Sequence, residues 1–326
     1  MIKLGIIGTS AIAKSFIGGV KLTNEFELSA IYSRSQEKGS AFAIENGVSQ
    51  VFTDLLKMAK SNTIEAVYIA SPNGCHYEQS KLFLENGKHV ICEKPITSSA
   101  SKYRELKDLA DKKSLIYMEA IIPIYTDGYS KVKEALLKIG DVKSARIDFS
   151  QYSSKMQRYL NGEKFSVFDM SLCGGTLMDL GVYCVWCAID FFGMPNNITA
   201  FKNLMRDSVD ITGCAIFEYN DFNAILSYSK TGQSVIGSEI VGDKATLEIK
   251  LISQYTGVNL VENGVKTEIV ATPTKEELMR GEAKRFADYI LNFKDYAEDY
   301  AYNSERCYAV HCCMDKIKEK SNIKYL

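Results

Sequence analysis

The sequence predicts an α/β protein in two parts: a doubly wound parallel sheet, then an α+β domain with a mostly antiparallel sheet. The first third alternates short apolar runs with segments of helical spacing, which is typical of parallel strands covered by helices on both faces. After about Glu119 the pattern changes to alternating strands with short turns, such as ITGCAIFEY and FNAILSYS. The 326 residues are enough for two domains. We therefore expect domains at residues 1–119 and 120–326.

The elements expected in the first domain follow from these runs and from the turn residues that end them. Right-handed crossovers are expected between the strands. The expected strands are Ile2–Ile7, Phe26–Tyr32, Ile64–Ala70, His89–Cys92 and Leu115–Glu119, and the expected helices are Ala11–Leu22, Gln36–Asn46, Thr53–Ser61, Tyr77–Asn86 and Ser99–Lys113.

The second domain is expected to be an antiparallel sheet with few helices. Strands are predicted over Val142–Gln151 and between Ile211 and Ile269, where Asn263-Gly264 is a hairpin turn signal. An apolar helix is expected over Gly175–Phe192, and helical sequence returns over Lys275–Lys320.

Composition excludes several classes of protein. With 39 basic and 40 acidic residues the net charge is -1, which argues against a generic binder of nucleic acid or anionic membranes. No run approaches the ~20 apolar residues of a membrane span, and the N-terminus lacks the features of a signal peptide. Nine cysteines without paired spacing indicate reduced thiols, so we expect a cytoplasmic protein.

Two cysteine groups raise the question of a metal site. Cys184 and Cys187 form a CxxC, and a second group near the C-terminus contains three cysteines and a histidine. Both lie in helical patterns where cysteine packs as a small apolar residue, and no second CxxC completes four ligands. We therefore expect no metal. The second group is Cys307, His311, Cys312 and Cys313.

The first strand ends in a glycine turn of the kind that binds dinucleotides. Gly8 fits the tight turn and Ala13 the close helix–strand contact, while Ser10 stands where a second glycine is usual. The following helix aims free N–H groups at an anion, and the serine hydroxyl can donate to a phosphate. An ordinary strand–helix turn is the alternative. The candidate cofactor-binding residues here are Gly8, Thr9, Ser10, Ala11 and Ile12.

The second strand ends in Ser33-Arg34-Ser35, without the acidic residue that accepts from the ribose 2′-OH of NAD. Arg34 between two serines can bind a 2′-phosphate instead, which favours NADP over NAD. A solvated loop arginine is the alternative. Two further groups follow later strands: Ser71-Pro72-Asn73 with His76, and Glu93-Lys94-Pro95. Ligands bind at the carboxyl ends of parallel strands, so these are candidate site residues.

The stretches GIIGTSAIA, IASPNGCH, GKHVICEKP and GGTLMDLGVYCVWCAID, in this order, resemble the glucose–fructose oxidoreductase / inositol dehydrogenase / MocA (Gfo/Idh/MocA) family over nearly the whole chain. The stretch LIYMEAIIPIY resembles its dimeric dihydrodiol dehydrogenase and glucose–fructose oxidoreductase branch. The resemblance implies a Rossmann domain and a C-terminal open-faced sheet. It also implies a nicotinamide cofactor, a sugar-like or diol substrate, and Glu93-Lys94-Pro95 beside the nicotinamide, often with a cis proline.

The resemblance also implies catalytic residues. Its second motif maps onto Gly174–Tyr183, with Asp179 and Tyr183 on one helical face. Many members have histidine where this chain has Tyr183, so tyrosine points to the dihydrodiol-type branch and away from inositol substrates. Tyr183 is expected to act as acid and base, and Lys94 to lower its pKa and bind the substrate oxygen. Asp179 is expected to hold Lys94 or the substrate hydroxyl.

Three hypotheses remain open on the sequence. The first is an NADP-dependent oxidoreductase that acts on a sugar, an aldose or a vicinal diol. The second is a cofactor-binding sensor without turnover, which would not need Lys94, Asp179 and Tyr183 together. The third is an NAD-dependent glycoside hydrolase, against which Arg34 speaks. The alternating apolar strands suggest a homodimer, or a dimer of dimers, through the C-terminal sheet.

Overall fold

A computed structural model describes residues 1–205 and 209–325, and the chain divides into two compact units. The first unit comprises Met1–Tyr125 and Thr274–Glu305, and the second comprises Thr126–Pro273 and Arg306–Leu326. The expected boundary at residue 119 therefore lies a few residues early, and the chain returns to the first unit near its C-terminus.

The described residues form fourteen strands and ten α-helices. The strands are β1 (Ile2–Ile7), β2 (Phe26–Tyr32), β3 (Val51–Phe52), β4 (Ala66–Ile69), β5 (His89–Glu93), β6 (Tyr117–Ala120), β7 (Val142–Ser150), β8 (Asn197–Leu204), β9 (Asp210–Glu218), β10 (Asn223–Ser229), β11 (Ser238–Gly242), β12 (Thr246–Leu251), β13 (Thr256–Glu262) and β14 (Val265–Val270). The helices are α1 (Ala11–Lys21), α2 (Gln36–Asn46), α3 (Leu55–Lys60), α4 (His76–Glu85), α5 (Ala100–Lys112), α6 (Tyr129–Lys138), α7 (Met156–Leu160), α8 (Val182–Phe192), α9 (Lys275–Leu291) and α10 (Phe293–Ser321).

The first unit contains a six-stranded sheet with the order β3-β2-β1-β4-β5-β6. All five strand pairs are parallel, which confirms the predicted doubly wound sheet. The chain order reverses between β1 and β4, and open α/β sheets bind their ligands at this switch point, outside the carboxyl ends of the strands.

Helix α9 belongs to the first unit because it packs against α1. Two glycines of α1 allow the close approach: a Cβ on Gly19 would lie 2.6 Å from the carbonyl carbon of Met279, and one on Gly18 would lie 2.8 Å from Cγ of Glu276. Thr274 and Glu277 form a capping box that begins α9. This contact between distant segments explains why the sequence pattern alone placed α9 with the second domain.

The second unit contains an eight-stranded sheet with the order β14-β13-β12-β11-β7-β10-β9-β8. It is antiparallel except for the pair β7–β10, which confirms the mostly antiparallel sheet. Side chains alternate between its two faces: Phe217 and Leu226 are fully buried, while Phe201 and Ile225 are exposed. The sequence pattern did not predict β8 or α6.

Residues Met170–Phe192 are long and apolar enough, by length and composition alone, to cross a membrane. The expectation that no segment approaches this length is therefore wrong. The most apolar stretch of the segment is nevertheless 83% buried, and α8 carries the buried Trp186. We interpret the segment as core sequence of the second unit.

No disulfide joins any of the nine cysteines, all of which lie in the described part of the chain. Cys184 and Cys187 are buried on α8, and burial raises the pKa of both thiols above the ordinary value. These two side chains pack as small apolar groups within the second unit.

Candidate active site

The glycine turn between β1 and α1 has the geometry that a dinucleotide requires. Gly8 has φ +106°, and a Cβ at this position would lie 2.9 Å from the carbonyl oxygen of Ala70. Ala13 is fully buried, so its small side chain allows α1 to lie close to the sheet. Ser10 is the N-cap of α1, and its hydroxyl oxygen accepts from the N–H of Ala13 at 3.4 Å. That hydroxyl hydrogen is still available to a ligand phosphate.

A cleft of about 380 Å³ opens at the carboxyl ends of β1, β2 and β4. It brings together three predicted segments that are distant in sequence: the glycine turn, the end of β2 and the loop after β4. Ala11, Ile12, Asn73, Glu93 and Lys94 stay predicted cofactor contacts. The cleft is lined by Ile7, Gly8, Thr9, Ser10, Tyr32, Ser33, Arg34, Ser35, Lys38, Ala70, Ser71 and Pro72.

Two cations lie at the end of this cleft. Arg34 follows β2 and Lys38 lies in the first turn of α2, and both side chains are exposed. Ser35 is the N-cap of α2 and accepts from the N–H of Lys38 at 3.3 Å, which fixes the turn between the cations. Among the residues that line the cleft there is no carboxylate. The cleft therefore fits an anion such as a ribose 2′-phosphate. Sequence reasoning missed Lys38, although it lies four residues from Arg34.

His76 connects two loops of the first unit. Its side chain is fully buried, with Nδ1 2.8 Å from the carbonyl oxygen of Pro95 and Nε2 2.9 Å from that of Ser71. Burial lowers the pKa of His76, and the nearby Lys94 adds to this effect. Both ring nitrogens thus face backbone oxygens of the loops that carry Ser71 and Lys94. The geometry indicates that this histidine positions the loops.

The Glu93-Lys94-Pro95 segment ends β5, and its Lys94–Pro95 peptide is cis. Glu93 accepts a hydrogen bond at 2.5 Å from the hydroxyl of Tyr68, a buried residue of β4 that stacks on α1. Burial raises the pKa of the Glu93 carboxyl, while the Tyr68 hydrogen bond and the Lys94 charge oppose the rise. After the proline, the N–H of Ile96 donates to the Glu119 carboxylate at 2.8 Å. The segment is therefore anchored on both sides of Lys94.

The second motif lies in the second unit, where a π-helical turn (Leu177–Gly181) precedes α8. Its start is fixed by Asp210 of β9, whose carboxylate accepts from the N–H of Leu177 at 2.7 Å. Gly175, with φ +109°, is required there because a Cβ would lie 1.9 Å from Oδ1 of Asp210. The expected continuous helix thus begins with a wider turn that carries Asp179. Such turns are frequent at functional sites.

Asp179 forms an ion pair with Lys230, a residue that sequence reasoning missed. Lys230 directly follows β10 and is buried, whereas Asp179 is partly exposed. Tyr183 lies in the first turn of α8, and its ring meets the edge of Phe149 from β7, with centroids 5.6 Å apart. Asp179, Tyr183 and Lys230 therefore gather at the end of the sheet where β7 and β10 finish. The expected contact between Asp179 and Lys94 stays a prediction.

The doubly wound sheet and its glycine turn are typical of nicotinamide-dependent oxidoreductases, and the family comparison shows that class. Residues 2–121 match the family model described as "Oxidoreductase family, NAD-binding Rossmann fold", and residues 129–248 match the GFO/IDH/MocA C-terminal domain. The chain belongs to the Gfo/Idh/MocA family.

Several known proteins are similar over most of the chain. It is 34% identical over 325 residues to a scyllo-inositol 2-dehydrogenase (NADP(+)) from Bacillus subtilis, which covers 100% of this chain and 98% of the relative. It is 28% identical over 283 residues to a trans-1,2-dihydrobenzene-1,2-diol dehydrogenase from Xenopus laevis, covering 85% and 83%. A solved 3-ketoreductase from Actinomadura kijaniata, in complex with NADP, has the same fold, with a TM-score of 0.83, 21% identity and 98% of each chain covered.

Proposed function

We propose that this protein is an NADP(H)-dependent oxidoreductase that transfers a hydride between the cofactor and a CH–OH carbon of a sugar, cyclic polyol or vicinal diol. The observation that carries the proposal is the cleft beside the glycine turn, which holds two cations, Arg34 and Lys38, and no lining carboxylate. A 2′-phosphate supplies the negative charge that this pair matches. The full-length relative from Bacillus subtilis is named as NADP(+)-dependent, which supports the same preference.

Inositols belong in the proposed substrate class. The tyrosine at position 183 pointed to diol substrates, yet a relative that covers the whole chain is named as a scyllo-inositol dehydrogenase. Inositols, pyranose sugars and trans-diols share neighbouring hydroxyls on a ring. A site that binds one hydroxyl and removes the proton of another accepts all three classes in principle. Pocket contacts then decide between them.

The proposed chemistry requires a group that takes the hydroxyl proton, because the bound cofactor supplies only the hydride acceptor. Tyr183 is the proposed base in oxidation and the acid in reduction. A free tyrosine has a pKa of ~10, so it needs a neighbouring cation to act near neutral pH. Lys94 is the proposed cation, and its ammonium also stabilises charge that develops on the substrate oxygen. The partly exposed Asp179 is proposed to accept from a second substrate hydroxyl.

A homodimer through the outer face of the second sheet is part of the proposal, as is a cytoplasmic location. Support for the homodimer comes from side chains that the register aligns on that face: Ile216 of β9 lies opposite Ile225 of β10, and Cys214 of β9 opposite Phe201 of β8. Phe201 is 58% exposed and Ile225 is 47% exposed. An apolar patch of this kind is typical of an interface. Light scattering of wild type and Ile225→Lys tests it: a dimer is expected for the wild type and a monomer for the variant.

The cofactor proposal is tested by titrating the purified, cofactor-stripped protein with NADPH and NADH and following nucleotide fluorescence. Tight binding of NADPH and weak binding of NADH is expected. A preference for NADH contradicts the role of Arg34 and Lys38 but leaves an oxidoreductase. Failure to bind either nucleotide contradicts the proposed function itself.

A further inference from the structure

The ion pair between Lys230 and Asp179 is unequally exposed. The side chain of Lys230 is 4% exposed, and that of Asp179 is 29% exposed. The lysine side chain is therefore the buried member of the pair, and the Asp179 carboxylate is the member that solvent or a ligand can reach. Only Oδ2 of Asp179 is engaged in the ion pair, so Lys230 also fixes which way the carboxyl group faces.

The backbone of Lys230 is held from two sides. Its N–H donates to the carbonyl oxygen of Ile211 at 2.8 Å, and its own carbonyl oxygen accepts from the N–H of Ser153 at 2.9 Å. The ammonium nitrogen lies 5.8 Å from the centroid of the Phe168 ring, within the range of a cation–π contact. These contacts hold the ammonium against Asp179, so the pair is preformed within the second unit.

A second carboxyl group acts on the same lysine. Asp210 is fully buried, and its Oδ2 accepts from Leu177 N–H at the start of the turn that carries Asp179. Oδ1 of Asp210 has no hydrogen-bond partner among the described residues. Burial raises the pKa of Asp210, and the Lys230 charge opposes the rise. The charge of Lys230 thus acts on two carboxyl groups, those of Asp179 and Asp210, near the N-terminal end of the predicted catalytic helix.

We propose that Lys230 is a positioning residue for the reaction: it keeps Asp179 ionised and turned outward to accept a hydrogen bond from a substrate hydroxyl. This inference rests on the proposed function. Removing one member of a buried ion pair leaves an uncompensated charge, which the remaining group avoids by taking up a proton. Without Lys230, Asp179 becomes a neutral acid at a higher pH and loses one acceptor site that the substrate needs.

The other charged groups around Asp179 do not replace this cation. The strands packed against its turn present Asp210 from β9, Lys230 from the end of β10, and Asp148 from β7, whose carboxylate accepts from the N–H and hydroxyl of Ser150. Tyr183 follows on the same helix. Of these four groups only Lys230 carries a positive charge, so its removal raises the proton affinity of Asp179 with nothing in this set to oppose the change.

The test compares wild type with Lys230→Met, which keeps the length of the side chain and removes the charge, and with Lys230→Arg, which keeps the charge. The first readout is the 13C shift of the Asp179 carboxyl in aspartate-labelled protein without substrate, assigned with Asp179→Asn. An opposite charge at contact distance lowers a carboxyl pKa by about 1–3 units. The titration midpoint of Asp179 should therefore rise by about that amount in Lys230→Met and change little in Lys230→Arg.

The second readout is the pH profile of kcat/KM. In Lys230→Met the acid limb of the profile should move to higher pH by the same amount, and kcat/KM should recover at pH values above the new limb. In Lys230→Arg the acid limb should stay where it is in the wild type.

An unchanged Asp179 midpoint in Lys230→Met overturns the inference, as does an equal rise in both variants. If Lys230→Met does not fold, the Lys230→Arg midpoint decides alone: a value displaced by one unit or more contradicts the inference. A wild type that binds cofactor but turns over no substrate contradicts the proposed function, and the carboxyl titration still decides the role of Lys230.

Discussion

The imidazole of His76 lies 2.8 Å from the carbonyl oxygen of Pro95, the residue that follows the predicted catalytic Lys94. The other ring nitrogen lies 2.9 Å from the carbonyl oxygen of Ser71, which lines the cleft beside the glycine turn. One buried side chain therefore joins the loop that carries Ser71, predicted to bind the cofactor, to the loop that carries Lys94, predicted to take part in the chemistry. A neutral imidazole carries one N–H, so in that state only one of the two contacts is a hydrogen bond at a time.

His76→Leu should destabilise the protein and weaken NADPH binding. Losing a buried hydrogen bond costs about 1–3 kcal/mol at pH 8. Burial lowers the pKa of His76, so the unfolded state takes up a proton that the folded state rejects. The contribution of His76 to the free energy of unfolding of the wild type is therefore fully present above the ordinary histidine pKa of ~6.5. It decreases as the pH drops below that value. The gap in unfolding free energy between wild type and variant, measured in urea, should shrink from pH 8 to pH 6.

The matched control for this experiment is His89→Leu. His89 likewise contacts the backbone, where it accepts a partly buried hydrogen bond from the N–H of Ile116 at 3.0 Å, but it lies at the start of β5 and does not line the cleft. NADPH affinity should fall in His76→Leu and stay near the wild-type value in His89→Leu. Equal affinities in the two variants would show that His76 does not position the cofactor loop.

Arg34→Ala should weaken NADPH far more than NADH. A charge-assisted hydrogen bond to a phosphate contributes about 1.5–3 kcal/mol, which corresponds to a loss of about 10-fold to 100-fold in NADPH affinity. NADH lacks the 2′-phosphate and should lose less than threefold. Lys38→Ala should show the same selectivity with a smaller loss, and Lys60→Ala, an exposed lysine that does not line the cleft, should show neither. Similar losses for both nucleotides would mean that Arg34 does not contact the 2′-phosphate.

Tyr183→Phe should reduce kcat by at least about 100-fold, because general acid–base catalysis contributes about 10²–10⁴-fold. The ring stays packed against Phe149, so the melting temperature and the affinity for NADPH should change little. Steady-state rates and a thermal melt of the same sample measure this. A kcat within threefold of the wild type would assign the proton transfer to another group.

Glu282→Gln should stabilise the protein increasingly as pH rises. Glu282 lies on α9, fully buried, and neither of its carboxyl oxygens has a hydrogen-bond partner among the described residues. Burial, with the negative charge of Glu93, raises its pKa well above the ordinary ~4.3. The folded state thus holds a proton that the unfolded state releases, and wild-type stability falls as pH rises above that ordinary value. Because glutamine does not titrate, the Glu282→Gln variant should not show this decrease in stability with rising pH.

Thermal melts from pH 5 to pH 9 measure the effect at position 282. The difference in melting temperature between Glu282→Gln and wild type should be larger at high pH than at pH 5, and it should level off once the pH exceeds the raised pKa of Glu282. Glu45→Gln is the control, since Glu45 is an exposed residue paired with Lys14. A difference that is constant or negative throughout would contradict a protonated Glu282.

Local patterns predicted the parallel sheet and the glycine turn that follows β1 well. The bounds of β2 and α2 agree with the expected ranges, because apolar runs and the N-cap serine at position 35 are local signals. The strand β3 was not predicted, because two residues are too few to show the alternation of apolar and polar side chains that identifies a strand. The place of α9 follows from its contact with glycines of α1, more than 250 residues earlier, which no local pattern encodes.

The candidate site divides in the same way. The glycine turn, Arg34 and Lys94 were predicted as site residues because each lies within two residues of the end of a strand of the parallel sheet. Lys230 also directly follows a strand, but its partner Asp179 is 51 residues away, and Asp210 meets Leu177 across 33 residues. The lysine that follows the strand sequence FNAILSYS could have been recognised as a candidate site residue. Its meaning depends on the π-helical turn, which the sequence pattern predicted as ordinary helix.

The most direct test of the proposed function is NADPH formation from NADP⁺ by wild type and Lys94→Ala with a panel of inositols, pyranose sugars and trans-diols. The wild type should produce NADPH with at least one of these substrates. Lys94→Ala should lose turnover by about 100-fold to 1,000-fold while its affinity for NADPH stays within about threefold, since losing one hydrogen-bond donor at the reacting oxygen costs about 3–4 kcal/mol of transition-state stabilisation. Wild-type rates in Lys94→Ala, or NADPH binding without turnover of any polyol, would contradict the proposed function.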